Sequence, residues 1–243
     1  MQALFTLVGL AVAGGLAAVG FTRGARLRRI LATPTTSLSE LRPGFREVKG
    51  RVAAAEGTQM LVSPLSGTRC VYYEFKVEEH RHHGNKSRWR TVVKDRGQVP
   101  CVLSDGTAEV RVKLKEAELV LRPDSRMRTG LFQDAPPELE QTMLERYGRS
   151  TQGLIFNKHM RYTETVLEEG DALYALGTVQ GTRASGLKME KGTDLFIVSD
   201  LPENELVGRY RWQALALYIA AGVVAVLAAA LPALSLPTHR RHR

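Results

Sequence analysis

Hydrophobic positions follow different periods in different parts of the chain. From Ala3 to Phe21, ALFTLVGLAVAGGLAAVGF, no side chain is charged and Thr6 is the one polar residue. Such a run approaches the roughly 20 apolar residues that cross a bilayer. Ala214 to Leu231, ALALYIAAGVVAVLAAAL, has the same character, follows Trp212 and is extended by Pro232 to Leu236. An aromatic residue at the edge of such a run suits the membrane interface. The pattern predicts transmembrane helices over residues 3–21 and 214–236. A cleaved signal peptide would carry a basic stretch ahead of its apolar core, and no charge but the chain amine precedes Ala3, so the first run reads as an anchor.

Between the runs the period shortens. Residues 23–44 begin basic, continue as TPTTSLSELRPG and end at the breaker Pro43-Gly44, which predicts a juxtamembrane linker. A folded body is expected over residues 45–200. Glu47–Ala53 and Met60–Val62 read as strands. In SPLSGTRCVYY, residues 63–73, the pairs Ser63-Pro64 and Ser66-Gly67 form turns, after which Val71, Tyr73, Phe75 and Val77 alternate with polar residues in strand period. His80–Arg90 is polar and basic and reads as a loop at a hairpin tip. Alternation resumes at Trp89, Thr91 and Val93. Val99–Leu103 then leads through Asp105-Gly106, a strong hairpin signal, to Val110, Val112 and Leu114, and Glu118–Leu121 reads as a short strand.

At residues 136–148, PPELEQTMLERYG, the period becomes helical. Pro137 suits the first turn, Leu139, Met143 and Tyr147 share a face with Leu144 beside them, and Gly148 suits the stop. Strands return over Arg161–Val166, Ala172–Val179 after the Gly170-Asp171 turn, and Asp194–Val198. The predicted class is α+β: a mainly antiparallel β body, with a small OB-type barrel as its expected form, one amphipathic helix, and two flanking transmembrane helices. The helix divides the strands into two groups, which leaves open one mixed unit or two small β modules.

Charge changes the picture less than its total suggests. The net charge is +9, which taken alone points to nucleic acid. The nine Arg residues 23, 26, 28, 29, 209, 211, 240, 241 and 243 flank the apolar runs, and residues 30–208 hold 25 basic against 25 acidic side chains. The excess therefore belongs at head groups, and no nucleic-acid partner is expected. Six of these Arg lie on the body side and three in the tail 237–243. This favours a two-pass protein with a cytoplasmic body, although the HRRHR tail argues the other way.

Candidate chemistry is sparse. His80, His82 and His83 in HRHHGNK are the best metal candidates by residue type, but a charged, solvated tip fixes no coordination geometry. Ser63, Ser66 and Cys70 are nucleophiles in principle, without the G-x-S-x-G elbow or a visible base. Glu168–Asp171, EEGD, reads as a solvated turn rather than an acid/base pair. Cys70 and Cys101 are the two cysteines. They could pair, but two cysteines make neither a disulfide scaffold nor a zinc framework. No catalytic, cofactor-binding or metal-binding residue is assigned, and no cofactor is expected.

Taken in order, SPLSGTRCVYYEFKVEE, WRTVV with Trp89, the VPCVLSDGTAEVRV hairpin and RYTETVLEEGDALYALGTVQG resemble the GIDE (MULAN) family, whose domain is also called BAM, for "beside a membrane". The resemblance covers about residues 45–200 and includes the placement between two spans. It implies a protein-binding or regulatory role next to the bilayer. In the family's mitochondrial member this domain faces the intermembrane space, opposite to the side favoured by the Arg count. The family's ubiquitin-ligase activity resides in a RING finger, which needs about eight Cys/His ligands, so ligase chemistry of its own is not expected from these 243 residues. The expected function is a membrane-anchored interaction or sensor module binding a protein or ligand beside the bilayer. The alternatives are a ligase component working with a separate RING-type partner, or an enzyme using Cys70 or the His80–His83 loop.

Overall fold

The computed structural model describes residues 2–83, 86–129, 136–148, 159–193 and 195–234. Numbered along the chain, the elements begin with α1 (Gln2–Ala32), β1 (Gly44–Ala54), β2 (Leu61–Val62), β3 (Arg69–Cys70), β4 (Tyr72–His83), β5 (Lys86–Gln98), β6 (Cys101–Ser104) and β7 (Glu109–Val112). They continue with β8 (Glu118–Val120), β9 (Ser125–Thr129), α2 (Pro137–Tyr147), β10 (Met160–Leu167), β11 (Ala172–Gln180), β12 (Lys188–Glu190), β13 (Ile197–Ser199) and α3 (Glu203–Leu234). Two compact units result: a helical unit over Met1–Pro34 and Pro202–Arg243, and a β body over Thr35–Leu201.

Five strands of the body close a ring, β1-β6-β7-β12-β11 and back to β1. Every pairing in the ring is antiparallel except β12 with β7. This is the small Greek-key barrel of OB type that the short strands and the Asp-Gly hairpin predicted. β13 joins β11 on its outside and β8 joins β13. Val48, Val52, Leu103, Val110, Leu173, Val179 and Met189 fill the barrel core. β1 pairs with β11 from Gly44 to Arg51 and with β6 from Arg51 to Ala54, so this long strand turns a corner of the ring. Gly50 stands at that corner, where a Cβ would lie 2.6 Å from the Ser104 carbonyl oxygen. The absent side chain is what lets the two backbones approach.

A second sheet, β5-β4-β10-β9, is built from the long connections of the barrel. One face carries Phe75, Val77, Val93, Met160, Tyr162 and Val166, onto which α2 packs Leu139 and Met143. Pro137 opens α2, and Gly148, in the left-handed region at φ 59°, closes it by donating its N–H to the carbonyl oxygens of Leu144 and Met143. Both sheets draw strands from before and after α2, so the body is one mixed unit and not two modules.

Some sequence expectations need correction. The basic segment read as linker is helical as far as Ala32, because Arg, Leu and Ala are good helix formers and the first breaker is Pro34. The segment read as a loop, His80–Arg90, is strand on both sides of residues 84–85, which lie outside the described residues. Polar residues on both faces there hide the period of two. Leu144 is exposed, not part of the buried face of α2. The last strand begins at Ile197, and residue 194 lies outside the described residues. β3, β9 and β12 had no strand signal, each being short and largely polar.

In the helical unit α1 and α3 run antiparallel. Ala214, Ala221 and Ala228 are buried at seven-residue spacing, as are Ala13 and Gly20 on α1. A Cβ at Gly9 would lie 2.5 Å from that of Ala228. Many large apolar side chains face outward: Phe5 is 69% exposed, Val226 67% and Trp212 69%, whereas Ile30 and Leu206 are buried. Small residues inside and large ones outside suit helices packing in lipid. Both helices are long and apolar enough to cross a membrane. At 31 and 32 residues they extend about 46–48 Å, more than the ~30 Å hydrocarbon core.

Candidate functional site

The turn SPLSG is fixed by one carboxylate. Glu164 on β10 is fully buried. It accepts the backbone N–H of Leu65 at 2.7 Å and of Ser66 at 3.0 Å, with the Ser66 hydroxyl at 2.6 Å and the Ser63 hydroxyl at 3.2 Å. Four donors on one buried carboxylate make a structural clasp, and the serine oxygens are engaged in it. Cys70 and Cys101 are both free and buried. Burial, with added repulsion from the Glu164 and Glu168 charges, pushes the Cys70 thiol up to about 11. Burial alone pushes Cys101 up to about 12. Both are thiols at neutral pH, the opposite of an activated nucleophile.

The EEGD segment is a turn, as predicted. Asp171 accepts the Glu168 N–H at 2.8 Å and Gly170 adopts φ 94°. Of the histidines, His80 lies 4.9 Å from the Trp89 ring and 6.2 Å from His159. The His82 and His83 side chains lie outside the described residues, as does the tail 237–243. No group of three His, Cys, Asp or Glu that could hold a metal occurs among the described residues.

The side of the second sheet away from α2 is open. Strand alternation and register place on it Glu74, Lys76 and Glu78 of β4, Lys94 and Arg96 of β5, Arg161, Thr163 and Thr165 of β10, and Arg126 and Arg128 of β9. Glu78 holds both Lys76 at 2.8 Å and Arg161 at 2.7 Å. Partial burial works to raise the Glu78 carboxyl, but the hydrogen bonds and charges of these two cations outweigh it and hold it below the usual range. Glu74 pairs with Arg96 and, at 3.8 Å, Lys94. Arg161 also lies 4.8 Å over the Trp89 ring.

The opposite face is anchored by Asp95 on β5. It accepts from Tyr147 at 2.7 Å, Arg146 at 2.9 Å and Tyr73 at 3.2 Å, tying the end of α2 to the sheet. Burial first, then Asp95, raises the phenols of Tyr73 and Tyr147.

Where the open face meets the barrel there is a groove of about 770 Å³. Leu114, Ala117, Leu119 and Leu121 form its barrel side, and Glu74, Arg96 and Thr165 its sheet side. Across Gln98 and Leu114 it meets a second recess of about 560 Å³ over β6 and β7, where Arg111 and Lys113 stand. OB-type barrels commonly take ligands on the corresponding strands. Neither groove nor open face was assigned from sequence. Their residues are scattered over five strands, and only the register brings them together.

The fold is thus an OB-type barrel with an inserted sheet, on a chain with two helices long and apolar enough to cross a membrane. The family model GIDE, described as E3 Ubiquitin ligase, matches residues 72–232. The match spans well over half of the chain, and the chain belongs to the GIDE family. It begins at β4 and includes most of α3, so β1, a strand of the barrel ring, lies before it. No curated protein matches the sequence.

Proposed function

We propose that the chain is a membrane-anchored interaction module whose groove seats a segment of a protein partner beside the bilayer. The observation that carries this reading is the groove itself, with an apolar barrel side, an ion-paired sheet side and a continuation over β6 and β7. The two apolar helices would hold the groove at the membrane and raise the effective concentration of any membrane-bound partner. Six flanking Arg on the body side against three in the tail favour a cytoplasmic body. Protease protection in intact cells tests that side: digestion of the body from outside would reverse it.

A photo-cross-linking residue placed at Leu119 or Lys115 in the full-length protein in native membranes tests the site. Both positions should yield an adduct with the same protein, a control at Glu138 on α2 should not, and Leu121→Asp should abolish it. Equal labelling from Glu138, or no adduct from the groove, would remove the basis of the reading.

The family description favours a second reading, in which the seated segment belongs to a ligation substrate or a RING-type partner. Cys70 and Cys101 are buried with raised pKa, so the chain's part in ligation would be binding and not ubiquitin carriage. A ubiquitin adduct on either cysteine that reducing agent cleaves would contradict this.

A further inference from the structure

The balance of 25 basic against 25 acidic residues over residues 30–208 conceals a separation of charge. The open face of the second sheet carries six cations, Lys76, Lys94, Arg96, Arg126, Arg128 and Arg161, against two carboxylates, Glu74 and Glu78. The other side of the same sheet, with α2 packed on it, carries six carboxylates, Glu79, Asp95 and Glu164 of the strands and three of α2, against Arg81, Arg88, Arg90 and Arg146 among the described side chains. Each carboxylate of the open face is already shared by two cations. The surplus of four positive charges therefore stays unneutralised on that face, and neither Arg126 nor Arg128 forms an ion pair with a described residue.

We propose that this face, with the groove at its foot, binds an extended protein segment bearing both carboxylate and apolar side chains. The proposal rests on the reading of the chain as an interaction module and names the chemistry of its partner. Cations two residues apart on one strand, Arg126 with Arg128 and Lys94 with Arg96, are about 6.8 Å apart along the strand. An extended peptide repeats same-side residues at that interval, so acidic residues at i and i+2 meet such a pair. Its apolar side chains have the half-buried surface of Leu119 and Leu121 to cover.

Other polyanions match less of this surface. Single-stranded nucleic acid would use open aromatic rings for stacking, whereas His80, Trp89 and His159 are engaged with one another and with Arg161. A phosphodiester backbone also offers nothing apolar to the leucines. A flat anionic bilayer reaches the cations but not the recessed groove.

The test uses full-length protein in phosphatidylcholine nanodiscs and a fluorescein-labelled peptide, Glu-Thr-Glu-Thr-Leu-Thr-Leu, in which Glu and Leu side chains fall on one side of the extended chain. The peptide should bind and a Lys-Leu counterpart should not. Added salt should weaken binding, since the contacts are exposed. Arg126→Glu with Arg128→Glu, and separately Leu119→Asp, should each weaken it about tenfold or more, a loss of about 1.4 kcal/mol.

Absence of binding, or binding indifferent to these substitutions, overturns the proposal. So does tighter binding of oligouridylate or of phosphatidylglycerol vesicles that the Arg126→Glu, Arg128→Glu variant abolishes, which would give the face to another polyanion. If groove cross-links persist while the peptide fails to bind, the acidic-segment inference falls and the interaction module stands. If both fail, both fall.

Discussion

Replacing Glu164 by Gln preserves volume but turns one acceptor into a donor, in a place where four donors already converge. The hydroxyls of Ser63 and Ser66 can rotate to accept from the new amide, but the N–H groups of Leu65 and Ser66 cannot. If the remaining oxygen stays on Leu65, the Ser66 N–H at 3.0 Å loses its partner. An unsatisfied buried donor costs about 1–3 kcal/mol, and bonds to a charged acceptor contribute about 1.5–3 kcal/mol each. Glu164→Gln should therefore lose about 2–4 kcal/mol. Glu164→Ala, which strands all four donors, should lose about 3–5 kcal/mol, and Ser63→Ala about 1 kcal/mol. For a body of this size 2–4 kcal/mol corresponds to a fall in Tm of roughly 4–16 °C.

The assay is thermal unfolding of the full-length protein in detergent. Trp89 fluorescence, read in a Trp212→Phe background, reports the β body alone. Since the Glu164 charge helps hold the Cys70 thiol up, Glu164→Gln should also lower the pH at which Cys70 is alkylated. A Tm within about 1 °C of the parent for Glu164→Gln, a shift of at most about 0.5 kcal/mol, would refute the clasp.

Gly50→Val should cost more than 3 kcal/mol, because its Cβ would overlap the Ser104 carbonyl, and urea unfolding measures it. Met143→Ala, at a fully buried position under α2, should cost about 2–5 kcal/mol by the same measurement. Cys70 and Cys101 should resist alkylation at pH 8 in the native protein and react when it is denatured; prompt native labelling would contradict their burial. The lowered Glu78 carboxyl contributes stability that is present above the unfolded carboxylate pKa and is lost as pH falls through the lower folded value. Glu78→Gln should therefore be less stable than the parent at pH 7, and the gap should narrow towards pH 3 in parallel acid titrations.

Strand positions were largely legible because alternation at Val71–Val77, the Asp105-Gly106 turn and the helical spacing of Leu139 and Met143 are local signals. Membrane-length helices were legible for the same reason. What the sequence hid was lateral. β12 contributes three residues, KME, with one apolar side chain, yet it joins β7 to β11 and closes the barrel. β9 reads as charged because Arg126 and Arg128 alternate with a single half-buried methionine. The meeting of Glu164 with Ser63 and Ser66, about a hundred residues apart, follows from cross-strand register, which a single sequence does not state. The basic face escaped notice for a related reason: a charge tally sums both sides of a sheet that the pleat keeps apart.

Ring closure has a consequence for the order of biosynthesis. Gly50 of β1 must wait for Leu173 of β11 before that ladder can form, a delay of roughly 6–25 s at translation rates of 5–20 residues per second. The β4–β5 hairpin, whose contacts are sequential, can zip in microseconds once it emerges. A ribosome that stalls between these points leaves a completed hairpin beside a first strand whose edge towards β11 is bare. Such a nascent chain offers a chaperone or a degradation enzyme a target that the finished barrel no longer displays.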